Sequence, residues 1–178
     1  MRSFIPLVVV ALLLPVVRAD DKINAKIAEF CKENLNKKVG DGDCYDLAKY
    51  ALAAAGAKPE FKYKNHPNKG DYVWGEQLVL LEMESGKQKL TGKLKDIQAG
   101  DVIQFRDTKF SGPKANGKGT YTLSFSHHTA VVGEVEKGGQ VLKIYHQNMG
   151  GKKETLPGSL TPAHLTEGWI RVYRPNPK

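Results

Sequence analysis

The sequence predicts an α+β fold, with helices first and an antiparallel sheet after them. Three observations carry this reading. Apolar residues recur at helical spacing in the first part of the chain, and an alanine-rich run follows. The second half consists of short β-type runs separated by turn residues. Helices grouped before strands indicate segregated elements rather than alternating βαβ units.

From Asp21 to about Val39, Ile23, Ile27, Phe30 and Asn34/Leu35 fall at helical spacing among Lys and Glu. Gly40-Asp41-Gly42-Asp43 stops that helix, and Asp43 or Asp41 is placed to accept hydrogen bonds from the free N–H groups of a second helix. That helix runs from about Cys44 to Ala55 and ends at Gly56; its five alanines suit close packing. Residues 57–76 read as a long polar loop. Val79 to Met83 is a short apolar run, and Leu94 to Ala99 leads into the Gly100-Asp101 turn. Val102-Ile103-Gln104-Phe105 has strand composition, whereas residues 106–119 read as a Gly/Lys loop on the rim of a cleft. Ser126–Glu136 and Gln140–Asn148 form a hairpin through Lys137-Gly138-Gly139, and Gly168–Arg174 is a last strand. No internal repeat is visible.

Residues 1–19 have the layout of a secretory signal peptide. Arg2 precedes an apolar run from Phe4 to Val17, and Val17-Arg18-Ala19 reads as a cleavage signal. The run is too short to span a bilayer and is broken by Pro6 and Pro15, so no stable membrane insertion is expected. Residues 20–178 then form one domain, exported to the periplasm or the exterior and expected to be monomeric. The full chain has 27 Lys+Arg against 19 Asp+Glu, a net charge of +8. This suits anionic surfaces such as wall polymers, or simply solubility, since the lysines are scattered. Export and the absence of a motif argue against nucleic acid.

The only cysteines are Cys31 and Cys44. In an oxidising compartment such a pair is a disulfide candidate. A thiol in the first turn of a helix is also a candidate nucleophile, because the helix N-terminus favours the thiolate. Asp43 and Asp46 oppose that effect, so a nucleophile here calls for a histidine. Alternation along the hairpin supplies one. His128, Ala130 and Val132 share a face, and Leu142, Ile144, His146 and Asn148 share another. If those faces coincide, His128 meets His146 or Asn148 across the sheet. His127 points the other way and reads as a surface residue, as do His66 and His164. A Cys44/His128/His146 zinc site has suitable ligand types but matches no compact motif. The Asp41/Asp43/Asp46 cluster lacks the remaining positions of a calcium loop. No cofactor motif is present.

Three segments in this order carry a resemblance: Gly42-Asp43-Cys44-Tyr45-Asp46-Leu47-Ala48, Gly100-Asp101-Val102-Ile103-Gln104-Phe105 and His128-Thr129-Ala130-Val131-Val132. They resemble the NlpC/P60 and CHAP superfamily of papain-like cysteine peptidases and amidases. Tyr145-His146-Gln147-Asn148 is similar to the CHAP segment Glu-Gln-Asn, and Lys38 to Cys44 resembles a cysteine-proteinase-fold domain of fungal actin-patch proteins. The resemblance implies a papain-like fold with Cys44 as nucleophile and His128 as base. His146 falls on the third position and Asn148 on the fourth. Asp43 replaces the glutamine usual before the CHAP cysteine, and Tyr45-Asp46 replaces Ser-Gly, so the oxyanion donor beyond the Cys44 N–H is unassigned. The implied activity is cleavage or transfer at an amide bond through an acyl-enzyme, on a peptide or peptidoglycan substrate. The departures at 43, 45 and 146 keep a second expectation open, an idle domain binding a wall polymer or protein partner.

Overall fold

In the computed structural model, residues 19–59, 61–62, 71–114 and 117–178 are described. The leader expected over 1–19 lies almost wholly outside them, as does His66. Two helices, α1 (Ala19–Glu33) and α2 (Cys44–Ala55), are followed by strands β1 (Phe61–Lys62), β2 (Tyr72–Val73), β3 (Glu76–Glu84), β4 (Lys87–Thr91), β5 (Val102–Pro113), β6 (Thr120–Glu136), β7 (Val141–His146), β8 (Leu156–Leu160) and β9 (Leu165–Arg174). Strands β1 and β2 pair with each other. The other seven form one sheet in the order β4-β3-β9-β5-β6-β7-β8, with antiparallel neighbours throughout. The class is α+β, as the sequence predicts.

Each face of the sheet has its own core. Ile103, Phe105, Phe125, Ala130, Val132, Leu142, Ile144, Ile170 and Val172 pack together on the face turned away from the helices. Val102, Val131, Tyr173 and Trp74 meet Ile27, Cys31, Leu47, Ala48, Ala51 and Leu52 of the helices on the other. Both faces of the central strands are therefore buried. Adjacent residues of β6 serve different cores, which places the two neighbouring histidines on opposite sides.

Helix α2 begins and ends where the sequence predicts. Gly56 closes it in the left-handed conformation at φ +74°, where a Cβ is disfavoured. At its start Asp43 is the N-cap, as the sequence indicates, and with Asp46 it forms a capping box in which each side chain faces the other's backbone N–H. The Asp46 carboxylate reaches back to accept the N–H groups of Asp41 (2.8 Å) and Asp43 (3.3 Å). Gly40, at φ +60°, makes this loop possible, because a Cβ there would stand 2.9 Å from the Asp46 carboxylate. Helix α1 stops earlier than its apolar spacing suggests. Leu35 forms an isolated bridge with Thr155, the Asn36 N–H donates to the Thr155 carbonyl, and the Thr155 N–H donates to the Lys37 carbonyl. Pairing with a distant residue outweighs helical continuation here.

The segment read as a polar loop over 106–119 is mostly strand, with β5 continuing to Pro113 and β6 starting at Thr120. A β-bulge conceals it. The register with β9 shifts between Arg106 and Lys109, and Asp107 takes φ +48°. The extra residue lets Phe105 and Phe110 face the same core, with ring centroids 6.3 Å apart, although strict alternation would separate them. Strands β4 and β8 also escape the sequence reading. Every residue of β4 is exposed, and β8 contains Pro157 and Gly158 at the opposite edge of the sheet.

Candidate functional site

Cys44 is the first residue of α2, half-buried, and Cys31 is a buried residue of α1; both are free thiols. The disulfide alternative is not realised. Burial pushes the Cys31 thiol up strongly, which leaves it protonated and inert. Burial also raises the Cys44 thiol above its ordinary value. Backbone N–H groups of Thr129, Tyr45 and Cys44 itself pull it down, and the Asp43 charge pushes it up again. Desolvation outweighs the helix N-terminus, and the Asp43 charge opposes the thiolate as the sequence indicates.

The hairpin delivers the histidines as predicted from its alternation. The last β6–β7 pair is Ala130 opposite His146, and the Thr129 N–H at the next position of β6 acts on the Cys44 thiol. His128 and His146 lie on the face lined by Ala130, Val132, Leu142 and Ile144. The Nε2 of His128 is 3.1 Å from the Nδ1 of His146, and both side chains are buried. Phe125 stacks flat on His128, with centroids 4.4 Å apart and planes inclined by 5°. Burial, then the neighbouring His146 and His127, lower His128 to about 3. His146 is lowered by burial as well. At neutral pH the pair is uncharged, and one imidazole donates to the other. Among the described residues, neither ring hydrogen-bonds the thiol.

Asn148 does not join this pair. Strand β7 ends at His146, and Asn148 is exposed in a turn at φ +59°. The buried neighbour is Gln147. Its Oε1 accepts from the Val39 N–H (2.8 Å) and the Thr155 hydroxyl (3.1 Å). Its Nε2 donates to the carbonyls of Val39 and Asp43, both at 3.1 Å. A second buried amide, Gln104 of β5, accepts from Trp74 Nε1 and the Thr129 hydroxyl and donates to the His128 carbonyl at 3.0 Å. The two glutamines fix the backbone on either side of the histidine pair.

His127 is not the bare surface residue expected. Its Nε2 lies 3.3 Å from the buried carboxylate of Asp71, which Arg106 also grips through Nε and Nη2. The His127 ring stacks on Tyr72, and Tyr72 and Trp74 in turn pack on Tyr45, the residue after Cys44. The sequence reading missed this cluster because Asp71 belongs to a segment taken as loop. The signal available was the Asp71-Tyr72-Val73-Trp74 run, where an acid precedes three β-formers. His164, also expected to stand alone, shares a 2.9 Å hydrogen bond with the Tyr121 hydroxyl. Among the described residues, no three His, Cys, Asp or Glu side chains converge to hold a metal ion.

Residues 15–178 match the family model described as the AIM3/BBC1 cysteine proteinase-fold domain. The chain is 29% identical over 166 residues to the altered inheritance of mitochondria protein 3 of Debaryomyces hansenii. That match takes in 90% of this chain but 17% of the relative, so the chain spans under a fifth of that protein's length. Among solved structures, Ly7917 aligns with a TM-score of 0.47 at 17% identity, over 85% of this chain and 62% of that one. A structure of Ly7917 with the hydrolyzing product of MDP aligns with a TM-score of 0.44 at 16% identity, over the same shares. With nearly its whole length matched, the chain belongs to the AIM3/BBC1 cysteine proteinase-fold domain family.

Proposed function

We propose that this domain is a thiol hydrolase that cleaves an amide bond in a peptide through an acyl-enzyme on Cys44. The observation that carries the reading is the 3.1 Å contact between His128 Nε2 and His146 Nδ1, one residue from the Thr129 N–H that acts on the Cys44 thiol. His146 rather than Asn148 is then the orienting residue. Donation from His128 Nε2–H to His146 Nδ1 fixes one tautomer and leaves His128 Nδ1 with the lone pair a base requires.

Because the thiol is raised and the imidazoles are neutral, the resting site holds no thiolate–imidazolium pair. Cys44 meets β6 at the Thr129 N–H, just past the end of β7 at His146. From there His128 Nδ1 takes the Sγ proton as the sulfur attacks the carbonyl carbon, the new imidazolium being stabilised by the His146 lone pair. The developing oxyanion is met by the Cys44 backbone N–H at the start of α2. Collapse expels the amine, which leaves with the proton from His128, and water then releases the acid by the reverse proton path. Without Arg2 and Arg18 of the expected leader the net charge is 25 − 19 = +6, which suits a peptide in an anionic setting such as peptidoglycan.

The test is mass-spectrometric analysis of peptide and peptidoglycan-fragment mixtures incubated with the native chain and with Cys44→Ala. Fragments produced by the native chain and absent with the folded variant support the reading. Equal cleavage by both, or none by either, favours the non-catalytic binding domain that the raised thiol would also suit.

A further inference from the structure

Strands β6 and β7, which hold His128 and His146, are far in sequence from helix α2, yet the nucleophile on α2 must face that pair. Gln147 is the side chain that joins them. It follows His146 directly, is fully buried, and makes four hydrogen bonds. Two of these, from the Val39 N–H and to the Val39 carbonyl, reproduce the paired exchange that two peptide groups make in an antiparallel ladder. A third goes to the carbonyl of Asp43, the residue that caps α2 and precedes Cys44. The fourth, from Thr155, occupies the remaining lone pair of Oε1 and ties in the residue that also pairs with Asn36.

From this geometry we infer that Gln147 is a positioning residue that sets the nucleophile-bearing end of α2 against His146 and, through it, His128. A glutamine is required because the site presents donors and acceptors together. A carboxylate would face the Val39 and Asp43 carbonyls without a proton to give, and an apolar side chain would leave four buried partners unmet. The Asp46 carboxylate tightens the same loop from the helix side, so Gly40–Asp43 is held at both ends. The inference rests on the proposed hydrolase only for the consequence, not for the clamp.

The test uses Gln147→Met, close in size but apolar, with Thr155→Val as the milder variant if the first does not fold. Amide hydrogen exchange at Val39 should accelerate about tenfold or more in Gln147→Met, and less in Thr155→Val, while Leu47–Leu52 of α2 stay protected. Acylation of Cys44 by p-nitrophenyl acetate at pH 7 is measured alongside, with and without His128→Ala. The factor by which His128→Ala slows acylation should collapse towards one in the clamp variant, an outcome that general destabilisation would not produce. Unchanged exchange at Val39 overturns the clamp. If His128→Ala has no effect even in the native chain, the hydrolase reading fails, and exchange alone still decides the role of Gln147.

Discussion

His128 and His146 share a hydrogen bond between Nε2 and Nδ1 at 3.1 Å, on the sheet face lined by Ala130 and Val132 and beside the flat ring of Phe125. Two neutral imidazoles in contact need one donor and one acceptor, so each fixes the tautomer of the other. His146→Ala should slow Cys44 acylation roughly 10- to 100-fold by releasing the His128 ring, whereas Asn148→Ala should change it less than about twofold. Stopped-flow acylation of the two variants checks this. A larger effect at Asn148 would move the orienting role to the turn.

Alkylation of Cys44 should climb with pH only above the ordinary thiol range, since burial outweighs the surrounding N–H groups. Cys31, fully buried and raised further, should react only on unfolding. A pH series with iodoacetamide and peptide mapping reads both sites. Rapid labelling of Cys44 near pH 6 would show a resting ion pair and contradict the neutral site.

Stability should fall in mild acid. His128 is held at about 3 against an ordinary value of 6.5, so between those values the unfolded chain binds a proton that the folded one does not. Stability from this group is therefore fully present above pH 6.5 and lost as pH drops towards 3, by a few kcal/mol, with His146 adding in the same direction. Urea unfolding at pH 7 and pH 4 measures the loss, and His128→Gln should shrink it. An equal decline in the variant would place the acid sensitivity elsewhere.

The Gly100-Asp101 turn has a structural task. The fully buried Asp101 carboxylate receives Arg174 Nε and Nη2 at 3.0 Å, Asn24 Nδ2 at 2.7 Å and the Gln98 N–H at 2.8 Å. It ties α1, the turn before β5 and the end of β9 together. Asp101→Asn should cost about 2–3 kcal/mol in urea unfolding, because Arg174 loses its charged partner beside a buried amide. A loss below about 0.5 kcal/mol would show that the turn holds without this network.

The parts legible in the sequence are those governed by local rules. Helix α2 has an alanine-rich body and a glycine stop. The β6–β7 hairpin alternates on each strand about a Gly-Gly turn, so each histidine could be put on a face from spacing, while the coincidence of those faces depends on a register that shifts between Val132 and Glu134. The parts that were not legible depend on distant partners. The bulge at Asp107 broke the alternation linking Phe105 to Phe110, Thr155 drew residues 35–37 out of α1, and of the edge strands β4 has no buried face while β8 is interrupted by Pro157 and Gly158. The thiol illustrates the same limit. Its place at a helix N-terminus could be read from Gly42-Asp43-Cys44, but the burial that raises it goes with the approach of distant β6, whose Thr129 N–H acts on the thiol.

In the proposed reaction Cys44 attacks with His128 as its base. This step is tested by covalent acylation with p-nitrophenyl acetate at pH 7, followed by intact mass and peptide mapping for the native chain, His128→Ala and Cys44→Ala. One acetyl group is expected on Cys44 and none in Cys44→Ala, with acylation about 10²- to 10⁴-fold slower in His128→Ala and the deficit closing as pH rises above the thiol value. Acylation of Cys44 at the same rate in His128→Ala at pH 7 would contradict it.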